Sequence, residues 1–169
     1  MRSTFLFAAL LTLPVLAACG DDDATTAPPP ERWSSTLSGA NEVPPATTTA
    51  TGSATFEAVG DTAISYAITA TITGVTMGHI HTGAAGVNGG ILVWLAPPNG
   101  TAAQPASGAI NGQLSTGRIT ASWIRGVSGQ PAISLDSLRR LMRSGNAYVN
   151  VHTSAFGGGE IRGQIRTNP

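Results

Sequence analysis

Alternating apolar and polar residues, interrupted at short intervals by Gly, Pro and Asn, predict β-strands along most of the chain beyond residue 33. Residues 51–59 and 62–70 flank Gly60-Asp61, a pair typical of a two-residue hairpin turn. Residues 90–96 are almost wholly apolar and predict a central strand covered on both faces. Further strands are predicted at residues 108–114, 117–124, 146–152 and 159–166. This succession of short strands and turns is typical of an all-β sandwich or barrel.

One segment has the periodicity of a helix instead. Ser134 precedes it as a candidate N-cap, and Gly145 follows it as a residue that can adopt the left-handed closing conformation. The apolar stripe of this helix consists of Leu135, Leu138, Leu141 and Met142. We expect this single short helix to lie across an open end of the β-structure.

The first eighteen residues have the pattern of a secretory signal. Arg2 supplies a positive start, and residues 5–16 form an apolar stretch that is too short to span a membrane. Residues 16–19, Leu-Ala-Ala-Cys, resemble the bacterial lipobox, in which the cysteine receives a lipid. We expect residues 1–18 to be a lipoprotein signal peptide and Cys19 to be lipidated. The alternative is an ordinary secreted protein that is cleaved at an Ala-x-Ala-like site.

A tether is predicted between the anchor and the fold. Residues 19–32 combine the lipidated cysteine with an acidic, proline-rich stretch that cannot bury apolar surface. Residues 33–169 then form one domain of ordinary size. The predicted location is the bacterial cell envelope, where the lipid on Cys19 anchors the domain to the periplasmic or outer-surface side of a membrane.

The single cysteine and the absence of lysine exclude several classes of enzyme chemistry. Cys19 is the only cysteine, so once it is lipidated no thiol remains for a disulfide, a nucleophile or a metal. The chain contains no lysine, which excludes Schiff-base chemistry and a phosphate-loop lysine. The domain carries seven arginines and five carboxylates, with no basic stripe interleaved with aromatic residues. We therefore predict no nucleic-acid partner.

All three histidines lie in two segments that echo each other, residues 78–86 and 149–157. Each segment contains an apolar residue, His, Thr, a small residue, Ala, any residue and Gly, as expected for a strand that enters a loop. If the two strands are neighbours, the three imidazoles converge, and a carboxylate or water completes a tetrahedral shell. A three-histidine set with an open position suits zinc or copper. The candidate metal ligands are His79, His81, His152 and Glu160.

Four short motifs follow one another along the chain, at residues 37–45, 78–81, 148–153 and 159–164. They read Leu-Ser-Gly-Ala-Asn-Glu-Val-Pro-Pro, Gly-His-Ile-His, Tyr-Val-Asn-Val-His-Thr and Gly-Glu-Ile-Arg-Gly-Gln. This ordered set resembles the CHRD domain, which is named after the animal protein chordin and also occurs singly in many bacterial exported proteins. The resemblance implies an immunoglobulin-like or superoxide-dismutase-like Greek-key β-sandwich and no established enzyme activity. The family-motif residues are Glu42, Pro44, Pro45, Asn150, Thr153, Arg162 and Gln164.

The function that these observations favour is a non-enzymatic, envelope-anchored binding or structural module for an unknown protein or small ligand. In that interpretation the histidines are polar residues on the solvated side of half-buried strands, or hydrogen-bond the loop backbone. The alternative is a metalloprotein with a mononuclear zinc or copper site. Catalysis is the weakest hypothesis, because the chain lacks a Gly-x-Ser-x-Gly elbow and three histidines are too few for a dismutase-like dinuclear centre.

Overall fold

The computed structural model describes residues 29–100, 107–127 and 129–168, so the predicted signal peptide, Cys19 and most of the tether lie outside the described residues. The described chain forms one α-helix, α1 (Leu135–Arg143), and two 3-10 turns, Gly39–Asn41 and Ala121–Trp123. The expected all-β class with one short helix is confirmed. The strands are β1 (Arg32–Ser38), β2 (Thr51–Val59), β3 (Ala63–Thr73), β4 (Val75–Thr82), β5 (Ile91–Ala96), β6 (Ala109–Thr120), β7 (Ala147–Thr153), β8 (Ile161–Gln164) and β9 (Arg166–Asn168).

The strands form one antiparallel sheet that curls until its two edges meet. Its order is β5-β4-β7-β8-β1-β2-β3-β6, and β9 adds to β1. The edges approach each other where Tyr66 and Ser115 both donate hydrogen bonds from their hydroxyls to the Leu95 carbonyl, at 2.7 and 2.6 Å. A bridge between Val93 and Ile124 continues this junction. The result is a nearly closed barrel in which β4, β5 and β6 follow one another and β3 lies beside β6, a Greek-key arrangement.

Several strand boundaries differ from the sequence prediction. The β2–β3 turn contains three residues, not two, because Val59 pairs directly with Ala63. The two strands predicted at 108–114 and 117–124 are one strand, since β6 pairs with β3 along its whole length through a β-bulge at Leu114. The prediction also extended too far, because β6 ends at Thr120 and a 3-10 turn follows. The last predicted strand divides at Ile165 into β8, which pairs with β7, and β9, which pairs with the start of β1.

The predicted central strand at 90–96 corresponds to β5, which lies at one end of the hydrogen-bonded order. Its apolar composition is explained by the barrel closure, since Val93 and Leu95 face residues near the other edge and are fully buried. Strand β5 is therefore covered as an interior strand would be, although its backbone pairing on the side away from β4 is limited to the Val93–Ile124 bridge and the hydrogen bond from the Arg125 amide to the Leu92 carbonyl.

The helix covers one end of the barrel, as predicted. The Ser134 hydroxyl accepts a hydrogen bond from the Ser137 amide at 3.1 Å, and Gly145 ends the helix with a φ of 68°. Arg139 is buried and donates to the carbonyls of Gly60 and Ala63 at the β2–β3 turn, which attaches the helix to the barrel. No helix in the described part of the chain has the length and apolar character needed to cross a membrane. The buried helix residues that complete the core are Leu135, Leu138 and Met142.

Replacing Leu138 by Ala is expected to lower the free energy of unfolding by about 2–5 kcal/mol, because this side chain is fully buried and its removal leaves a cavity. Leu141→Ala is the matched control on the same helix, since Leu141 is only partly buried. Urea denaturation should show a clearly smaller loss for the control. Equal losses in the two variants would contradict the docking of the helix described here.

Candidate metal centre

The two histidine-containing segments lie side by side, because β4 and β7 are antiparallel neighbours. Their apolar residues Ile80, Val149 and Val151 face the barrel interior and are fully buried. Since side chains alternate along a strand, the three imidazoles occupy the opposite, outer face of the same strand pair. The convergence expected from the sequence if the strands were neighbours is thus present in the structure.

The histidine cluster, formed by His79, His81 and His152, offers three ring nitrogens that all lie within 4.8 Å of one another. The shortest separation, between His79 Nδ1 and His152 Nε2, is 3.2 Å. Ligand nitrogens around a tetrahedral zinc ion are about 3.3–3.4 Å apart, given bonds of about 2.0–2.1 Å. The closest pair therefore matches the spacing of a first coordination shell, while the full set, within 4.8 Å, is wider and would have to contract around an ion.

Two backbone carbonyls fix which nitrogen carries the proton in two of the three rings. Nδ1 of His81 lies 3.0 Å from the Gly89 carbonyl, and Nδ1 of His152 lies 2.9 Å from the Gly157 carbonyl. A carbonyl only accepts hydrogen bonds, so each Nδ1 carries the proton and each Nε2 keeps its lone pair. This is the pattern of metal-binding histidines, whose second nitrogen is commonly held by a carbonyl or carboxylate. Nε2 of His79 and Nε2 of His81 are buried and lack hydrogen-bond partners within the described chain.

The imidazoles are buried, which corrects the expectation that they face solvent. His79 is inaccessible, and His81 and His152 are 8% and 7% exposed. Loss of hydration lowers the pKa of His79 to about 3 and that of His81 to about 4, and also lowers the pKa of His152. The rings are consequently neutral near pH 7, the form that binds a metal ion. The Trp94 ring packs nearly perpendicular to the His79 ring, with ring centroids 4.2 Å apart.

The loop that covers the histidine cluster passes close to the backbone of Thr82 at Gly89. A Cβ atom at this position would lie 1.7 Å from the Thr82 carbonyl oxygen, so only glycine fits. The Gly89 amide donates a hydrogen bond to the Tyr148 hydroxyl at 3.1 Å, while its carbonyl accepts the hydrogen bond from His81. The glycine-rich loop after β4 is thereby fixed over the histidine cluster at two atoms of one residue.

Glu160 does not join the histidine cluster. Its two carboxylate oxygens accept hydrogen bonds from the hydroxyls of Thr48 and Thr153, at 2.6 and 2.7 Å. The Thr153 hydroxyl also accepts a hydrogen bond from the Phe156 amide, which orders the loop that presents the Gly157 carbonyl to His152. Glu160 thus supports the loop beside the candidate metal centre, and any fourth ligand comes from another group.

A second buried acid stands next to the cluster. Asn150, directly opposite His79 across the strand pair, donates from its amide to both oxygens of Glu42, at 3.1 and 3.0 Å. Gly159 has a φ of 127°, and a Cβ there would lie within 2.7 Å of both side chains. Burial raises the pKa of Glu42 to about 7, against the opposing effect of Arg162. The motif residues Pro44 and Pro45 are exposed on the surface loop that follows Glu42.

Arg162 is a buried cation close to the site, with an exposure of only 2%. Its guanidinium donates to Asn88 Oδ1 at 2.9 Å and to the Val87 carbonyl at 2.6 Å. It lies 3.4 Å above the Tyr148 ring, which in turn stacks on His81 with centroids 4.9 Å apart. No carboxylate oxygen of the described residues lies within 4.0 Å of its nitrogens.

Gln164 fixes the neighbouring loops by donating from its amide to the carbonyls of Gly83, Gly145 and Ala147.

Sequence reasoning did not identify Tyr148 and Trp94 as residues of the site. Tyr148 had a usable signal, because it shares the period-two pattern of Asn150 and His152. Trp94 had none, since it lies within an almost continuously apolar strand.

The structure is thus an all-β Greek-key barrel with a buried three-histidine cluster on its outer face. The model of the CHRD domain family matches residues 33–165. The chain therefore belongs to the CHRD domain family, as the four ordered motifs suggested. Comparison with curated proteins and with solved structures finds no significant match.

Metal-free protein is expected to lose stability as the pH falls from about 7 to about 5. The unfolded imidazoles titrate near 6.5, whereas burial holds the pKa values of His79 and His81 near 3 and 4 in the fold. Below 6.5 the unfolded chain binds more protons than the native chain, so the free energy of unfolding decreases. Urea denaturation at several pH values measures this slope.

Glu42 provides the internal control for this pH dependence, because its contribution has the opposite sign. The pKa of Glu42 is near 7 in the fold and has the ordinary value of 4.5 in the unfolded chain. Between pH 4.5 and pH 7 the native protein therefore binds a proton that the unfolded chain does not bind. Glu42→Gln removes this opposing contribution and should make the loss of stability below pH 6.5 steeper. A flatter dependence in this variant would contradict the assignment.

Proposed function

We propose that this CHRD domain is a non-enzymatic binding module whose ligand is a single zinc or copper ion held by His79, His81 and His152. The observation that carries the proposal is the convergence of three buried, neutral imidazoles. Carbonyl contacts at Nδ1 of His81 and His152 direct the lone pairs of their Nε2 atoms away from the backbone. Such a set provides the neutral nitrogen donors that both metals accept.

Unsatisfied ring nitrogens argue against a purely structural role for the cluster. A buried polar atom without a hydrogen bond costs about 1–3 kcal/mol, and Nε2 of His79 and Nε2 of His81 both have this character. In a structural network these nitrogens would be paired with loop atoms, as each Nδ1 of His81 and His152 already is. An ion bound through Nε2 of His81 would satisfy a buried ring nitrogen that the protein leaves unpaired.

The proposed stoichiometry is one ion per chain. The chain contains three histidines, and all of them belong to the cluster, so no imidazole remains for a second centre. Cys19 lies before the domain, and the carboxylate of Glu160 is engaged by two threonine hydroxyls. The proposed role is accordingly to bind, carry or sense a metal ion, with no second metal for dismutase-like chemistry.

Titration of the full chain with Zn(II) and with Cu(II) should show one equivalent bound, and elemental analysis should confirm it. The ion should raise the melting temperature, because a ligand that binds only the native state stabilises it. His79→Ala/His81→Ala/His152→Ala should abolish both effects. Equal affinity of the wild type and this triple variant for both metals would overturn the proposal.

Trp94 supplies an internal probe that separates binding at the site from binding elsewhere. Because its ring lies against His79, Cu(II) in the cluster should quench its fluorescence. Trp94→Phe should keep one equivalent of metal but lose most of the quenching, since Trp33 lies in the core and Trp123 packs against that core from the 3-10 turn after β6. Quenching that is unchanged in Trp94→Phe would place the metal elsewhere.

We also propose that the domain is exported and anchored to the bacterial envelope through a lipid on Cys19. The support is the lipobox-like sequence at residues 16–19 and the acidic, proline-rich stretch that follows. Cys19→Ser should shift the protein from the membrane fraction to the soluble fraction, and labelling with a fatty-acid analogue should be lost. Unchanged membrane association of this variant would refute the anchor.

A further inference from the structure

We infer that the site is selective for monovalent copper and that the Met77 thioether is its fourth ligand. This inference rests on the proposed metal-binding function, and it identifies the ion and completes the shell. It joins two independent observations, the register of Met77 in the strand pair and the charge around the histidine cluster.

Strand register places Met77 beside the cluster. Residues 77, 79 and 81 lie on the same face of β4, because every second residue of a strand points the same way. Gly78 points inward, since a Cβ there would touch Ala96 and Val151. Met77 is also the direct cross-strand partner of His152. The Cβ atoms of such partners are about 4.5–5.5 Å apart, which is within reach of a long side chain. Met77 is half-buried and has three rotatable bonds with which to direct its sulfur.

The donor set matches the chemistry of Cu(I). Thioether sulfur is a soft, neutral ligand that favours Cu(I), whereas Zn(II) is commonly bound by imidazole, thiolate or carboxylate. No carboxylate of the described residues belongs to the cluster. Glu160 is held by Thr48 and Thr153, and Glu42 is held by Asn150. Three imidazoles and one thioether would leave the full charge of the ion uncompensated.

The surrounding charge also disfavours a divalent ion. The desolvation cost of an ion grows with the square of its charge, so burying a divalent ion costs about four times as much as burying a monovalent one. Arg162 adds a buried positive charge, separated from His81 only by the stacked Tyr148 ring. The buried acids Glu42 and Glu160 lie nearby but are hydrogen-bonded to other side chains. With no anionic ligand in the shell itself, a single positive charge is the better fit.

The test compares Cu(I) and Zn(II) affinities in a Cys19→Ser background, so that the only thiol cannot bind copper. Competition with a chromophoric Cu(I) chelator under anaerobic conditions, and with a Zn(II) indicator, gives the two affinities for the full chain. Met77→Leu nearly conserves volume, and Met142→Leu, in the buried face of α1, is the matched control. Thermal melting verifies that both variants are folded.

We expect Cu(I) to bind more tightly than Zn(II), and Met77→Leu to weaken Cu(I) by about tenfold or more while leaving Zn(II) unchanged. X-ray absorption of the Cu(I) protein should show a sulfur ligand that this variant loses. Equal Cu(I) affinity in Met77→Leu and Met142→Leu, or an equal loss of both metals, would overturn the role of Met77. Zn(II) binding as tightly as Cu(I) would overturn the selectivity. Binding of neither metal above the triple histidine variant would instead refute the proposed function itself.

Discussion

The antiparallel pairing of β4 with β7 is the constraint on which the site depends. Seventy-three residues separate His79 from His152 along the chain, and only this strand pair brings their nitrogens to 3.2 Å. The same pairing buries Ile80, Val149 and Val151 against the barrel interior. The same strand register thus buries these apolar residues and assembles the histidine cluster, because a shift of one residue would reverse both faces.

On the outer face of this strand pair, the family-motif residues form hydrogen bonds that hold the surrounding loops in place. Thr153 and Glu160 hold the loop after β7, whereas Asn150 and Glu42 connect β7 to the loop after β1. Arg162 connects β8 to the loop after β4 through three backbone or amide oxygens. Residues far apart in sequence therefore serve a common purpose, which is to cover three imidazoles and orient two of them through backbone carbonyls.

Local patterns predicted much of the architecture. The bounds of β2, the helix capped by Ser134 and the common face of His79 and His81 all follow from periodicity and capping rules. The pattern did not show that β6 is continuous, because its turn-like residues are held by β3, which lies far away in sequence. It also did not show the burial of the imidazoles or the engagement of Glu160 by Thr48, because both depend on loops that only the tertiary structure brings together.

The closure of the sheet has a consequence for the proposed export and surface anchoring of this domain. Open strand edges present unpaired amides and carbonyls, which act as templates for pairing between chains and hence for aggregation. In this barrel the two outermost strands cover each other through Tyr66, Ser115 and the Val93–Ile124 bridge. Many copies crowded side by side on a membrane would thus meet through side chains and loops, with little exposed backbone through which to join their sheets.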